Sequence, residues 1–147
     1  MTRPRVLVTG ATGFIGRALV PRLIPEAEVT LLLLEEFAQS QDLPTPLKAL
    51  RDQFDVVYAD LRNYATTTRA IRQSQPEMII HLAAAGTTDP FLNPHQAVRH
   101  NLTGTLNLLR ACFAGENPAR RLITARTPGE FSAMNTYAAS KAAAWDF

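Results

Sequence analysis

Cysteine and tryptophan each occur once in these 147 residues, and only Lys48 and Lys141 among the 15 basic residues are lysines. A single cysteine rules out an internal disulfide. Cys112 lies in NLLRACF, an apolar pattern with helical spacing, and reads as a buried, inert thiol. No stretch approaches the roughly 18 apolar residues of a membrane span. The net charge is only +2, and no Lys/Arg run is long enough for a nucleic-acid footprint. The three histidines lack metal-ligand company. His95 and His100 fall on a helix with no cysteine or carboxylate at ligand spacing, and His81 ends a buried strand as a satisfied core residue. MTRPR runs straight into a strand-like segment, which leaves no room for a signal peptide and makes the cytoplasm the default location.

What is present is one domain's worth of alternating elements, with 46% hydrophobic residues and a core to match. RVLVT (5–9) reads as a strand ended by Gly10, and GFIGRALVPRLI follows with helical spacing, kinked or shortened by Pro21. EVTLLLL (28–34) is a second strand. Pro44 and Pro46 break up 37–53, which leaves room for a short helix over 46–53. DVVYAD (55–60), a helix over 63–74, EMIIHLA (77–83), a long helix over 95–115 and RRLITA (120–125) complete the series, before a last helix beginning near Thr136. Near-continuous apolar strands alternating with helices predict an α/β fold, a doubly wound parallel sheet of Rossmann-like type.

Between the first strand and helix lies TGATGFIG, with Gly10, Gly13 and Gly16 spaced three apart. In such a turn the first glycine permits the bend and the second lets the backbone approach a pyrophosphate. The third lets helix pack on strand, and the helix N-terminus offers free N–H groups to the anion. Strand two should end in the residue that reads the adenosine ribose. Glu35 and Glu36 are the candidates, and a carboxylate there favours NAD over NADP. Near the other end, NTYAASK places Tyr137 and Lys141 four residues apart, on one face of a helix.

With these motifs placed, the chain resembles the short-chain dehydrogenase/reductase superfamily. It is most similar to the extended branch, the NAD-dependent nucleotide-sugar epimerases and dehydratases. TGATGFIG resembles that branch's phosphate turn, which implies Gly10, Thr12, Gly13, Phe14, Ile15 and Gly16 as cofactor contacts. YADLRN (58–63) implies Asp60 on the adenine amino group and Leu61 beside the ring. HLAAAG (81–86) implies Leu82, Ala83 and Ala84 along the pyrophosphate and ribose. HNLTGTLNLL (100–109) implies Asn101 holding backbone and a water near Lys141. The resemblance also implies the N-terminal half of a longer protein. Residues 1–147 would form an incomplete NAD-binding domain without its substrate-gripping part, and pairing through the long helices would give a homodimer.

The reaction so implied is hydride transfer between a sugar carbon and nicotinamide, with Tyr137 as base. A free tyrosine titrates near ~10, and bringing it to roughly 7 requires ~4 kcal/mol of preferential phenolate stabilisation. Lys141 and the positive nicotinamide ring would supply it, and Lys141 would also bond the nicotinamide ribose. A hydroxyl after strand five should hold the substrate oxygen. Thr124 is the candidate, thirteen residues before Tyr137 as in the compact branch, with Thr127 and Ser132 as alternatives. The serine pair and Tyr-Gly of the extended branch are missing, and so is the Thr-Asp-Glu run of 4,6-dehydratases. Oxidation, reduction or epimerisation of a nucleotide sugar or similar polyol is therefore expected over elimination. A non-catalytic dinucleotide-binding module and an NADP-dependent carbonyl reductase are the alternatives.

Overall fold

The computed structural model describes residues 3–37, 39–89, 91–115 and 117–147. Strands β1 (Arg5–Thr9), β2 (Glu28–Leu33), β3 (Asp55–Tyr58), β4 (Met78–His81) and β5 (Arg121–Thr124) form one sheet in the order β3-β2-β1-β4-β5. All neighbours run parallel. The chain crosses over the sheet between β3 and β4, so the order reverses at the β1/β4 boundary. A crevice opens at such a switch point, outside the strands' carboxyl ends.

Period-two alternation distributes the strand side chains between two cores. Val6, Val8, Leu31, Leu33 and Ile80 face one side, with Val20 of helix α1 (Phe14–Leu23) and Leu47 of α2 (Thr45–Lys48). Leu7, Leu32, Val57 and Ile79 face the other. Ala70 and Ile71 of α3 (Tyr64–Ser74) meet them there, as do Leu108 and Cys112 of α5 (Gly104–Phe113). Burial pushes the Cys112 thiol up to about 12, which makes it inert at neutral pH.

Asparagine begins three helices. Asn63 Oδ1 accepts from the N–H groups of Ala65 and Thr66, Asn93 from His95, and Asn135 from Ala138. The expected long helix is three consecutive segments: α4 (Pro94–Ala97), a π-helical stretch Val98–Thr103, and α5. Helix α6 (Thr136–Trp145) packs along the π-helical stretch. Pro21 sits inside α1, which ends two residues later. In place of a helix over 46–53 there are α2 and a 3-10 turn at Arg51–Gln53, because Pro44 and Pro46 suit only the start of a helix. Strand β5 also departs from expectation. It is an edge strand, with Arg121 and Ile123 exposed, rather than one buried on both faces.

Leu7 is fully buried at the centre of the sheet. Leu7→Ala is expected to cost about 2–5 kcal/mol of unfolding free energy, read from the urea midpoint at unchanged m.

Candidate active site

The glycine turn is shaped by what it cannot accommodate. Gly10 has φ +69, and a Cβ on it would stand 2.5 Å from the Ala83 nitrogen at the end of β4. A Cβ on Gly16 would overlap the Gly10 carbonyl and Ala11, so α1 lies directly on the turn. Gly13 differs. Its missing Cβ would meet only the Gly10 oxygen, at 3.2 Å, and the residue is exposed. Gly13 is also the N-cap of α1 and has no side chain to cap it, so the first N–H groups of the helix stay available to an anion.

Above this turn lies a cavity of about 690 Å³. Gly10, Thr12, Gly13, Phe14, Ile15 and Gly16 line its floor, with Leu82, Ala83 and Ala84 on the β4 side and Asp60 and Leu61 on the β3 side. Phe14 is 83% exposed at its mouth, an apolar surface available to cover a ligand. The carboxylate at the cavity from the end of β2 is Glu36; Glu35 is not among the lining residues. Both lie in a 3-10 turn, Glu35–Phe37, whose tight winding sends adjacent side chains in different directions.

Among the cavity residues missed in the sequence are two that can carry positive charge, Arg62 and His100. Arg62 Nε donates to both Asp60 oxygens at 2.9 Å, and the guanidinium holds the Asp60 carboxyl below the usual carboxylate range. Arg62 Nη1 and His100 Nε2 are 3.2 Å apart, so His100 accepts there as a neutral ring; burial, then the Arg62 charge, holds its pKa down. Arg62 stands inside the quoted YADLRN, and its basic charge two residues after Asp60 was the available signal.

Thr124, Tyr137, Lys141 and Asn101 do not line this cavity. Thr124 is half-buried at the end of β5, paired in register with His81. Its side chain makes no hydrogen bond among the described residues. Asn101 was expected to hold backbone and a water. Its amide clamps Ala85, accepting from its N–H at 2.8 Å and donating to its carbonyl at 2.9 Å. It also donates to Ser140 Oγ, which donates to the Tyr137 carbonyl at 2.7 Å. The π-helical turn puts Asn101, 1% exposed, in reach of both partners.

Lys141 is 7% exposed, yet among the described residues its ammonium has no hydrogen bond or ion pair. Burial lowers its pKa, while Glu130 acts in the opposite sense. Burial raises Tyr137 above its ordinary 10.0, and the Glu130 charge adds to this. The free chain therefore holds Tyr137 as a phenol, the reverse of what a resting base needs.

His81 joins these parts. The Thr105 hydroxyl donates to the Asn101 carbonyl at 2.6 Å, so towards His81 Nε2, 2.9 Å away, it can only accept. Nε2 therefore carries the proton, and Nδ1 accepts from Thr9 Oγ1 at 2.6 Å. Thr9 Oγ1 accepts in turn from the Ala83 N–H. Burial, with the nearby Lys141 charge, drives the His81 pKa down to about 3.

A model described as the NAD dependent epimerase/dehydratase family matches residues 6–145. A dTDP-glucose 4,6-dehydratase of Salmonella typhimurium is 30% identical over 108 residues, 71% of this chain and 30% of that protein. A UDP-glucose 4-epimerase of Mycoplasma pneumoniae is 29% identical over 139 residues, 92% of this chain and 39% of that protein. The crystal structure of the Bordetella bronchiseptica enzyme WbmG in complex with NAD superposes with a TM-score of 0.79 at 21% identity. The match covers 99% of this chain and 49% of that one. The chain thus spans about half the length of that solved structure and less of the two curated relatives.

A histidine whose native pKa lies below its unfolded 6.5 binds its proton preferentially in the unfolded chain. Its contribution to stability is complete above pH 6.5 and is lost as pH falls toward about 3. Between pH 6.5 and about 4.5 the unfolding free energy should fall by up to roughly 1.4 kcal/mol per pH unit. His81→Asn should flatten most of that slope in urea titrations.

Proposed function

The chain belongs to the NAD-dependent epimerase/dehydratase family, and from this we propose that it is the cofactor-binding and proton-transfer half of an NAD-dependent oxidoreductase or epimerase. Its substrate would be a nucleotide sugar or similar polyol. The observation that carries this reading is the glycine cradle: Gly10 and Gly16 have no room for a side chain, while Gly13 leaves backbone open beneath the cavity. That arrangement fits a dinucleotide, with pyrophosphate at the start of α1. Glu36 would accept from the ribose hydroxyls and Asp60 from the adenine amino group. Lys141 would donate to the nicotinamide ribose, which would give its ammonium a partner.

When bound, NAD takes up hydride and can return it. Tyr137 would accept the hydroxyl proton of the substrate, and Thr124 would hold its oxygen. Because Tyr137 is a phenol in the free chain, its service as a base depends on added positive charge, which the oxidised cofactor brings. Epimerisation or oxidation is favoured over elimination because no Thr-Asp-Glu run is present. A second reading, a dinucleotide-binding module without turnover, draws support from a cavity whose lining lies within a chain half as long as its solved relative. Tyr137→Phe separates the two readings. In a complete protein it should spare NADH binding and abolish turnover; retained turnover would remove Tyr137 as the base.

Calorimetry on the 147-residue chain should show NADH binding more tightly than NADPH, since Glu36 repels a 2′-phosphate. Lys141→Met should weaken NADH about tenfold or more, the loss of hydrogen bonds from a charged donor. Tighter NADPH binding, or an unaffected Lys141→Met chain, would contradict these assignments.

A further inference from the structure

The loop from β5 to α6 contains an ion pair, between a buried carboxylate and a partly exposed guanidinium, that the chemistry above leaves unused. The Glu130 side chain is only 4% exposed. Arg126 Nε donates to its Oε2 at 2.6 Å, and the Thr127 N–H donates to its Oε1 at 3.1 Å. Thr127 and Glu130 together form a capping box on the 3-10 turn Pro128–Phe131. The Arg126 guanidinium also lies 4.1 Å from the centroid of the Trp145 ring, on α6. Gly129 presses on the same helix, because a Cβ there would stand 3.1 Å from that of Ala138. The loop is therefore pinned to α6 at Ala138 and at Trp145, and Tyr137 and Lys141 lie beside those two points.

Accepting Tyr137 as the base, we infer that Arg126 and Glu130 are positioning residues: the pair fixes the short loop on the tyrosine helix and sets the field in which Tyr137 yields its proton. The capping box alone could account for a buried glutamate, but it needs only an acceptor oxygen. A glutamine would serve that need. The guanidinium calls for a carboxylate, and the negative charge of Glu130 acts on both groups of the helix. It opposes the phenolate and supports the ammonium that burial disfavours. Of these charges, that of Glu130 acts on Tyr137, while Glu130 and Arg126 both act on Lys141, in opposite senses. His81 of β4, which feels the Lys141 charge, is neutral.

The test is an alkaline titration of tyrosinate absorbance on the 147-residue chain, with circular dichroism recorded alongside. Subtracting the Tyr137→Phe counterpart of each chain isolates Tyr137 from Tyr58 and Tyr64. Glu130→Gln keeps the capping acceptor and removes the charge, so the Tyr137 midpoint should fall by about one pH unit. Arg126→Gln leaves Glu130 uncompensated, so the midpoint should rise, or ionisation should wait until the chain unfolds. Opposite directions are the signature of charge. A purely structural clasp would, on loosening, move both variants together toward a free tyrosine, and that result or two unmoved midpoints would overturn the inference. If Glu130→Gln does not fold, the direction in Arg126→Gln decides: a rise supports the inference, and a fall or no change sinks it. Failure of the base assignment would show instead as retained turnover in a complete Tyr137→Phe protein.

Discussion

The structure depends on one close approach, that of the turn after β1 to the backbone at the end of β4. Gly10 must have a positive φ and no side chain because the Ala83 nitrogen occupies the space where a Cβ would be. The two segments are also joined by hydrogen bonds, from Leu82 N–H to the Thr9 carbonyl at 3.1 Å and from Ala83 N–H to Thr9 Oγ1 at 3.2 Å. Were they further apart, α1 could not begin over the sheet's switch point, and its free N–H groups would not face the cavity.

From that junction a single buried polar chain runs to the tyrosine helix. It passes from Ala83 through Thr9, His81 and Thr105 to the Asn101 carbonyl, and the Asn101 amide continues to Ser140 and the Tyr137 carbonyl. Each hydroxyl along it has a determined sense, which fixes the tautomer of an imidazole that burial keeps neutral. Buried polar networks are costly when partly satisfied and ordering when complete. Here completeness ties the glycine turn to the helix of Tyr137 and Lys141 without either touching the other.

The fold was legible in the sequence because apolar periodicity and glycine spacing are local signals. The five strands, the parallel arrangement and the start of α6 near Thr136 came from them. The misses have a common cause in tertiary placement. That β5 is an edge strand depends on what lies beside it, which its own apolar run does not encode. Glu36 rather than Glu35 reaches the cavity because a 3-10 turn follows β2. The π-helical stretch at Val98–Thr103 leaves the periodicity of an ordinary helix, so its effect on Asn101 could not be read from spacing. Arg62 and His100 meet across 38 residues of sequence, a separation that no linear motif records.

The central claim is that backbone crowding at Gly10 creates the dinucleotide site, and NADH calorimetry on two glycine variants tests it most directly. Gly115 has nothing within 4 Å of where its Cβ would stand, so Gly115→Ala serves as the control. The account predicts that Gly115→Ala binds NADH like the parent chain while Gly10→Ala loses binding. NADH affinity equal to the parent's in Gly10→Ala would contradict it.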